Sequence, residues 1–135
     1  MSELTIGRLA RQSGLATETL RYYERRGLLA PSQRTASGYR LYRPEAFQRL
    51  RFIRRAQALG FSLDEIAELL ALSDDPNNDA AAVKQFTRTK IHDIESRIRD
   101  LERMKQGLTA LEERCPGHGS TSECPILGAL NAEED

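Results

Sequence analysis

Two thiols and an imidazole stand close together near the end of the chain, in the stretch RCPGHGSTSEC (residues 114–124). Cys115 and Cys124 are the two cysteines of the 135 residues, eight residues lie between them, and His118 sits inside the gap. A pair so spaced around a Pro-Gly loop is a disulfide, a flexible clamp for a soft metal, or an unused structural pair. Soft thiolates favour Cu(I), Ag(I), Hg(II) or Zn(II). Coordination number separates these ions: two thiolates satisfy a linear monovalent ion, whereas tetrahedral zinc wants four protein ligands, or three plus water. His118 is either a third ligand or a solvated loop residue, and Asp79 as a fourth would make a mixed Zn(II) site arithmetically possible. His92, the second histidine, projects from a long helical segment and reads as structural. No nucleophile–base pair, phosphate loop or carboxylate dyad emerges, so the sequence does not read as an enzyme.

The redox setting bears on the choice. The N-terminus MSELTIGRLARQSG is amphipathic, without an apolar signal-peptide core, and no stretch resembles a membrane span. The expected location is the cytoplasm, whose reducing conditions weaken the disulfide reading and strengthen the metal reading.

The elements that must position the loop are legible from periodicity. From Ala80 to Glu113 there is no Pro, and Gly107 is the only Gly. Val83, Thr87, Ile91, Ile94, Ile98, Leu101, Met104, Leu108 and Leu111 advance by threes and fours, a narrow apolar stripe on a charged helix roughly 50 Å long. Such a stripe calls for a partner helix from a second copy, in an antiparallel or parallel two-fold coiled coil. Cys115 follows this helix, Pro116 and Gly117 break it, and CPILGAL reads as a final short helix before a frayed tail, NAEED.

Charge divides the chain. Residues 1–60 carry twelve Lys+Arg against four Asp+Glu, and residues 61–135 carry eight against sixteen, so a zero total hides halves of +8 and −8. Only the first half suits a polyanion. In it, Thr5 caps a helix through Ile6, Leu9 and Ala10 that Gly14 stops; a second begins at Ala16 or Thr17, turns Leu20 and Tyr23 inward and ends at Gly27. Two short helices about a glycine turn are a helix-turn-helix candidate, with Arg21 early in the second helix. APSQRTASGYRLYRPEAF then reads as a hairpin or wing turning near Ser37 and Gly38. Pro44 opens a helix with Phe47, Leu50 and Ile53 on one face and Arg49, Arg51, Arg54 and Arg55 on the other. Ser62 and Glu65 form a capping box for the next helix, which is expected to end near Leu72. SDDPNND is a polar linker.

These residues resemble a known family. TIGRLARQSGLATETLRYYERRGLL, Arg34 with SGYRLY, and FIRRAQALGFSLDEI resemble the N-terminal domain of the MerR family of transcription regulators, and CPGHGSTSECPILGAL resembles the metal-binding loop of its metal-sensing branch, closest to the copper-efflux and zinc-efflux regulators. The fold expected is mainly α: a winged helix-turn-helix domain (1–73), a linker (74–79), a dimerisation helix (80–113) forming an antiparallel coiled coil in the dimer, and a metal loop with a short C-terminal helix (114–135). The resemblance implies a homodimer on a near-palindromic operator inside a promoter with an overlong spacer, where metal binding changes the shape of the DNA that RNA polymerase must engage. Carried over by position, Arg21, Tyr39 and Arg40 are DNA contacts, with Thr17, Tyr22, Arg34 and Arg54 as further ones.

The family's divalent-metal sensors bring another cysteine from the start of the partner's long helix, and its monovalent sensors have serine there; here that place is Ala80 or Ala81. The absence of a third thiol favours Cu(I), or Ag(I) or Au(I), at Cys115 and Cys124. The eight-residue gap, His118 and the lack of the serine keep Zn(II) or another divalent soft metal as the alternative. A reversible Cys115–Cys124 disulfide that signals oxidation is the second alternative.

Overall fold

The structure is a computed structural model and describes residues 3–133. Met1 and Ser2 of the amphipathic N-terminus, and Glu134 and Asp135 of the tail expected to fray, lie outside the described residues. The chain divides into two compact units, Met1–Thr87 and Arg88–Asp135.

The first unit opens with strand β1 (Leu4–Thr5) running directly into helix α1 (Ile6–Ser13). Thr5 is the N-cap: its hydroxyl oxygen accepts from Arg8 N at 3.3 Å, satisfying one of the donors that a helix start leaves without intrahelical partners. Gly14 ends α1 at φ 76°, a left-handed conformation glycine adopts without steric cost, and its N–H donates to Ala10 O. Helix α2 (Thr17–Arg25) follows after two further residues. The pair is the helix-turn-helix expected from the sequence.

Strands β2 (Gln33–Arg34) and β3 (Arg40–Tyr42) form the expected hairpin, with Gly38 at φ 88° in its turn. A third strand was not foreseen: β1 pairs antiparallel with β3, giving the order β1-β3-β2 with Leu4 opposite Tyr42 and Gln33 opposite Leu41. Two residues are too few to show strand alternation, so only the pairing partner reveals β1. Helix α3 (Glu45–Ala58) has Pro44 at its N-cap rather than inside its first turn. Helix α4 (Leu63–Asp74) starts with the complete capping box, Glu65 N donating to Ser62 Oγ at 3.2 Å and Ser62 N to Glu65 Oε1 at 2.8 Å. It runs two residues past Leu72.

One core holds these elements. Leu9, Leu20, Leu28, Tyr42, Ile53 and Ile66 are essentially inaccessible, joined by Leu4, Tyr23, Leu29, Leu50 and Leu70. Each fully buried aliphatic side chain contributes about 1.5–3 kcal/mol relative to exposure. Half-buried Phe47, Phe52, Phe61 and Leu63 pack around them.

Helix α5 (Ala80–Arg114) is continuous over 35 residues, and Asp79 holds its start by accepting from Ala81 N at 3.0 Å. In the second unit, Ile91, Ile94, Ile98, Leu101, Met104 and Leu108 are exposed along it. One turn of 3-10 helix (Thr121–Glu123), also unforeseen, precedes helix α6 (Pro125–Asn131). Among the described residues no helix is long and apolar enough to cross a membrane.

Candidate nucleic-acid face and thiol loop

Helix α2 presents three of the expected DNA contacts. Thr17 is its first residue and is half-buried; Arg21 is exposed and pairs with Glu18 one turn back at 3.1 Å. Tyr22 is 39% exposed, its ring lying beneath the guanidiniums of Arg25 and Arg26 at 5.7 and 5.6 Å, within the range of cation–π attraction. Arg26 donates to the Tyr22 hydroxyl at 2.7 Å and also pairs with Asp64 at the start of α4. The Tyr22 hydroxyl first, and then Asp64, hold the Arg26 guanidinium above its ordinary pKa. Tyr23 and Tyr42 are core, whereas Tyr22 and Tyr39 face outward. The four tyrosines therefore split between packing and surface in a way their spacing alone leaves open.

The hairpin carries the next three. Arg34 is exposed and donates to Gly38 O at 3.4 Å across the turn, and Tyr39 is 69% exposed at the tip with its N–H on Thr35 Oγ1. Arg40 is different. Its Nε lies 2.8 Å from Glu24 Oε2, and the Glu24 side chain is only 12% exposed. The pair is out of line for a hydrogen bond, and Glu24 Oε1 has no partner among the described residues, so the contact is an ion pair tying hairpin to helix α2. Nothing in the spacing of residues 24 and 40 signals it. Arg54, the seventh expected contact, is exposed on α3, and Arg51 and Arg55 lie on the same side of that helix.

The thiol loop belongs to the second unit. Cys115, the residue after α5, donates its N–H to Glu112 O in the last turn of that helix, and Cys124 is the N-cap of α6, with Gly128 N on its carbonyl at 2.9 Å. Between them Gly117 and Gly119 take φ values of 80° and 98°, and Ser120 caps the 3-10 turn by accepting from Ser122 N. These reversals fold the chain back so that both cysteines line one cleft of about 360 Å³, with His118 also in its wall. Both thiols are free and half-buried. The Cys124 thiol is held below its ordinary pKa by the backbone N–H groups of Leu127 and Ile126 and by the Cys115 side chain, against a smaller opposing effect of burial. A helix N-terminus stabilises the thiolate in this way.

The cleft wall offers two sulfurs and the His118 imidazole. Among the described residues no three His, Cys, Asp or Glu side chains gather in one metal-sized group. Asp79 is engaged in capping α5, and His92 lies 3.4 Å from Glu95 on the surface of the same helix. Two adjacent soft donors, one with a stabilised thiolate, fit a soft metal ion.

A winged helix-turn-helix unit followed by a long helix and a dithiol loop defines a DNA-binding regulator rather than an enzyme. Residues 4–73 match the model for MerR HTH family regulatory proteins, and residues 47–111 match that for the MerR DNA-binding region. The chain is 45% identical over 125 residues to the mercuric resistance operon regulatory protein of Bacillus cereus, covering 93% of this chain and 95% of that protein. It is 40% identical over 127 residues to the HTH-type transcriptional regulator CueR of Yersinia pestis, covering 94% and 91%. Among solved structures it resembles the transcription regulator PbrR691 from Ralstonia metallidurans CH34 in complex with lead(II), with a TM-score of 0.86, 33% identity, and 94% and 98% of the two chains covered. This chain belongs to the MerR family of transcription regulators.

Proposed function

We propose that the protein is a metal-responsive transcriptional activator that binds promoter DNA as a homodimer and senses Cu(I), or Ag(I) or Au(I), through Cys115 and Cys124. The observation that carries the metal reading is the loop itself: two free thiols line one cleft, one of them at the start of α6, and no three His, Cys, Asp or Glu side chains form a metal-sized group among the described residues. Ala80, at the first position of α5, offers neither thiolate nor hydroxyl. The relatives named for mercuric resistance and CueR support metal sensing as the class of signal.

In this reading Cys115 and Cys124 bind the ion, Gly117 and Gly119 permit the loop to close, and the first N–H groups of α6 stabilise the negative charge left on the sulfurs. A soft metal ion would be held by the Cys115 and Cys124 sulfurs, and its binding would displace the thiol protons. Helix α5 joins two copies along its apolar stripe, and α2 with its hairpin reads the duplex through Thr17, Arg21, Tyr22, Arg34, Tyr39, Arg40 and Arg54. The protein acts in the cytoplasm, holding the promoter spacer in a shape that RNA polymerase engages once metal is bound.

X-ray absorption on the metal-loaded protein tests this directly. Two sulfur neighbours and no nitrogen are expected with Cu(I), together with promoter activity that rises with Cu(I) or Ag(I) and not with Zn(II). A second reading is a divalent soft-metal sensor using His118, favoured by the likeness to the mercuric regulator and to the lead(II)-bound structure. A Zn(II) response that disappears in His118→Ala would replace the first reading with the second.

A further inference from the structure

Arg21, Arg26, Arg40 and Arg49 each pair with a carboxylate, and one of those carboxylates is unlike the rest. Glu18, Asp64 and Asp74, the partners of Arg21, Arg26 and Arg49, are exposed, where water and salt leave an ion pair little to contribute. Glu24, the partner of Arg40, is 12% exposed. Taking its charge out of water costs free energy that an apolar residue would avoid, so stability is a poor account of it. Its position gives a better one. Thr17, Arg21 and Glu24 follow one another by four and three along α2, which sets them on one side of the helix. The hairpin register places Arg40 directly opposite Arg34, and like charges so placed repel unless a carboxylate stands against one of them. Glu24 Oε2 does so, 2.8 Å from the buried Nε of Arg40. The terminal nitrogens of Arg40 make no hydrogen bond among the described residues and end a half-buried side chain. One edge of the guanidinium is therefore held and the other is open.

We infer that Glu24 is a positioning residue for sequence discrimination: it fixes the Arg40 guanidinium against α2, so that the open edge meets DNA oxygens only where helix and hairpin are in register with the duplex. The inference rests on the DNA-binding role proposed for Arg21 and Arg40. An unpaired arginine is attracted to the phosphates of any duplex. Neutralised and held through Nε, Arg40 adds little to that general attraction, while the donors of its open edge keep a fixed geometry toward an acceptor. The carboxylate thereby exchanges general affinity for discrimination.

The test uses the full chain and two duplexes, one of the protein's own promoter region and one scrambled, with affinities measured between about 50 and 200 mM salt. Glu24→Gln removes the charge and keeps the shape. It should tighten binding to the scrambled duplex and steepen the slope of log K against log salt there by about 0.9, as Arg40 neutralises one more phosphate. The promoter-to-scrambled ratio should fall about tenfold, within the coupling expected inside one ion-pair network. With Arg40→Gln already in place, adding Glu24→Gln should leave the ratio unchanged. A packing role predicts instead that Glu24→Gln is silent. An unchanged ratio in folded Glu24→Gln, or equal shifts on both duplexes, overturns the inference. Thermal melts report folding. If Glu24→Gln does not fold, Arg40→Lys decides: a single ammonium held by Glu24 has no open edge, so promoter affinity should fall while the scrambled duplex is unaffected, and an unchanged ratio overturns the inference here too. Arg21→Ala separates the two readings. Weaker promoter binding in that variant beside an unchanged ratio in Glu24→Gln removes the role of Glu24 alone; if Arg21→Ala is also without effect, the DNA-binding role of α2 fails with it.

Discussion

Up to Thr87 the chain buries thirteen hydrophobic side chains at the junction of α1, α2, α3, α4 and the small sheet; from Arg88 onward no hydrophobic side chain among the described residues is buried. The first unit meets the requirement for a core from its own residues. The second displays its apolar residues in a row along α5, from Ile94 at 39% exposure to Leu108 at 66%, with Leu111 half-buried beyond them. A row of that length on one helix is a surface waiting for another chain. The contrast separates two jobs: the first unit is shaped before it meets DNA, whereas the second is completed by assembly, so whatever alters the thiol loop acts on the part with the least internal packing.

The largest effect expected is at the loop. Cys115→Ser and Cys124→Ser should each abolish the transcriptional response to metal while promoter affinity stays within about twofold, because neither thiol belongs to the helix-turn-helix unit. A reporter assay paired with a gel shift reads both, and a cysteine variant that still responds to metal would break the division of labour. Next in size is the core. Ile53→Ala, at a fully inaccessible site, should cost about 2–5 kcal/mol of stability in denaturant melts.

A charge in the stripe reverses that pattern. Ile98→Asp should leave the fold of the first unit unchanged and raise the dimer dissociation constant by about a hundredfold, since each interface would bury a carboxylate without a partner. Sedimentation across a concentration series checks this; dimers of unchanged stability would show that the stripe is not the assembly surface. A smaller loss follows Ser62→Ala, which removes half of the capping box and should cost about 0.5–2 kcal/mol.

The smallest effect is in the pH dependence of the thiols. Because its pKa is lowered, Cys124 keeps its thiolate to a lower pH than an ordinary cysteine, so its alkylation should reach half-maximal rate at lower pH than that of a cysteine in a short unstructured peptide. In Cys115→Ala that midpoint should rise but stay below the ordinary value, as the N–H groups of Leu127 and Ile126 remain in place. Mass-spectrometric labelling of each cysteine across pH follows the two separately.

The sequence alone determined what is set by neighbours three or four residues apart. The Thr5 cap, the Ser62–Glu65 box, the glycine at the end of α1, the long periodic helix and the thiols flanking a breaker-rich loop all follow from short-range hydrogen-bond or spacing rules, and each is legible in the order of residues. Sequence spacing also placed Arg51, Arg54 and Arg55 on one side of α3, but not which of the arginines would be neutralised. Tertiary structure decided that: Arg49 found Asp74 and Arg40 found Glu24 because packing of α3 on α4 and of the hairpin on α2 carried groups from distant positions into range. It also made Leu4 and Thr5 a strand, since a strand of two residues exists only through the partner it pairs with. The closeness of Cys115 to Cys124 lies between these cases: the loop residues permit the reversal, and the start of α6 fixes where the second sulfur stands.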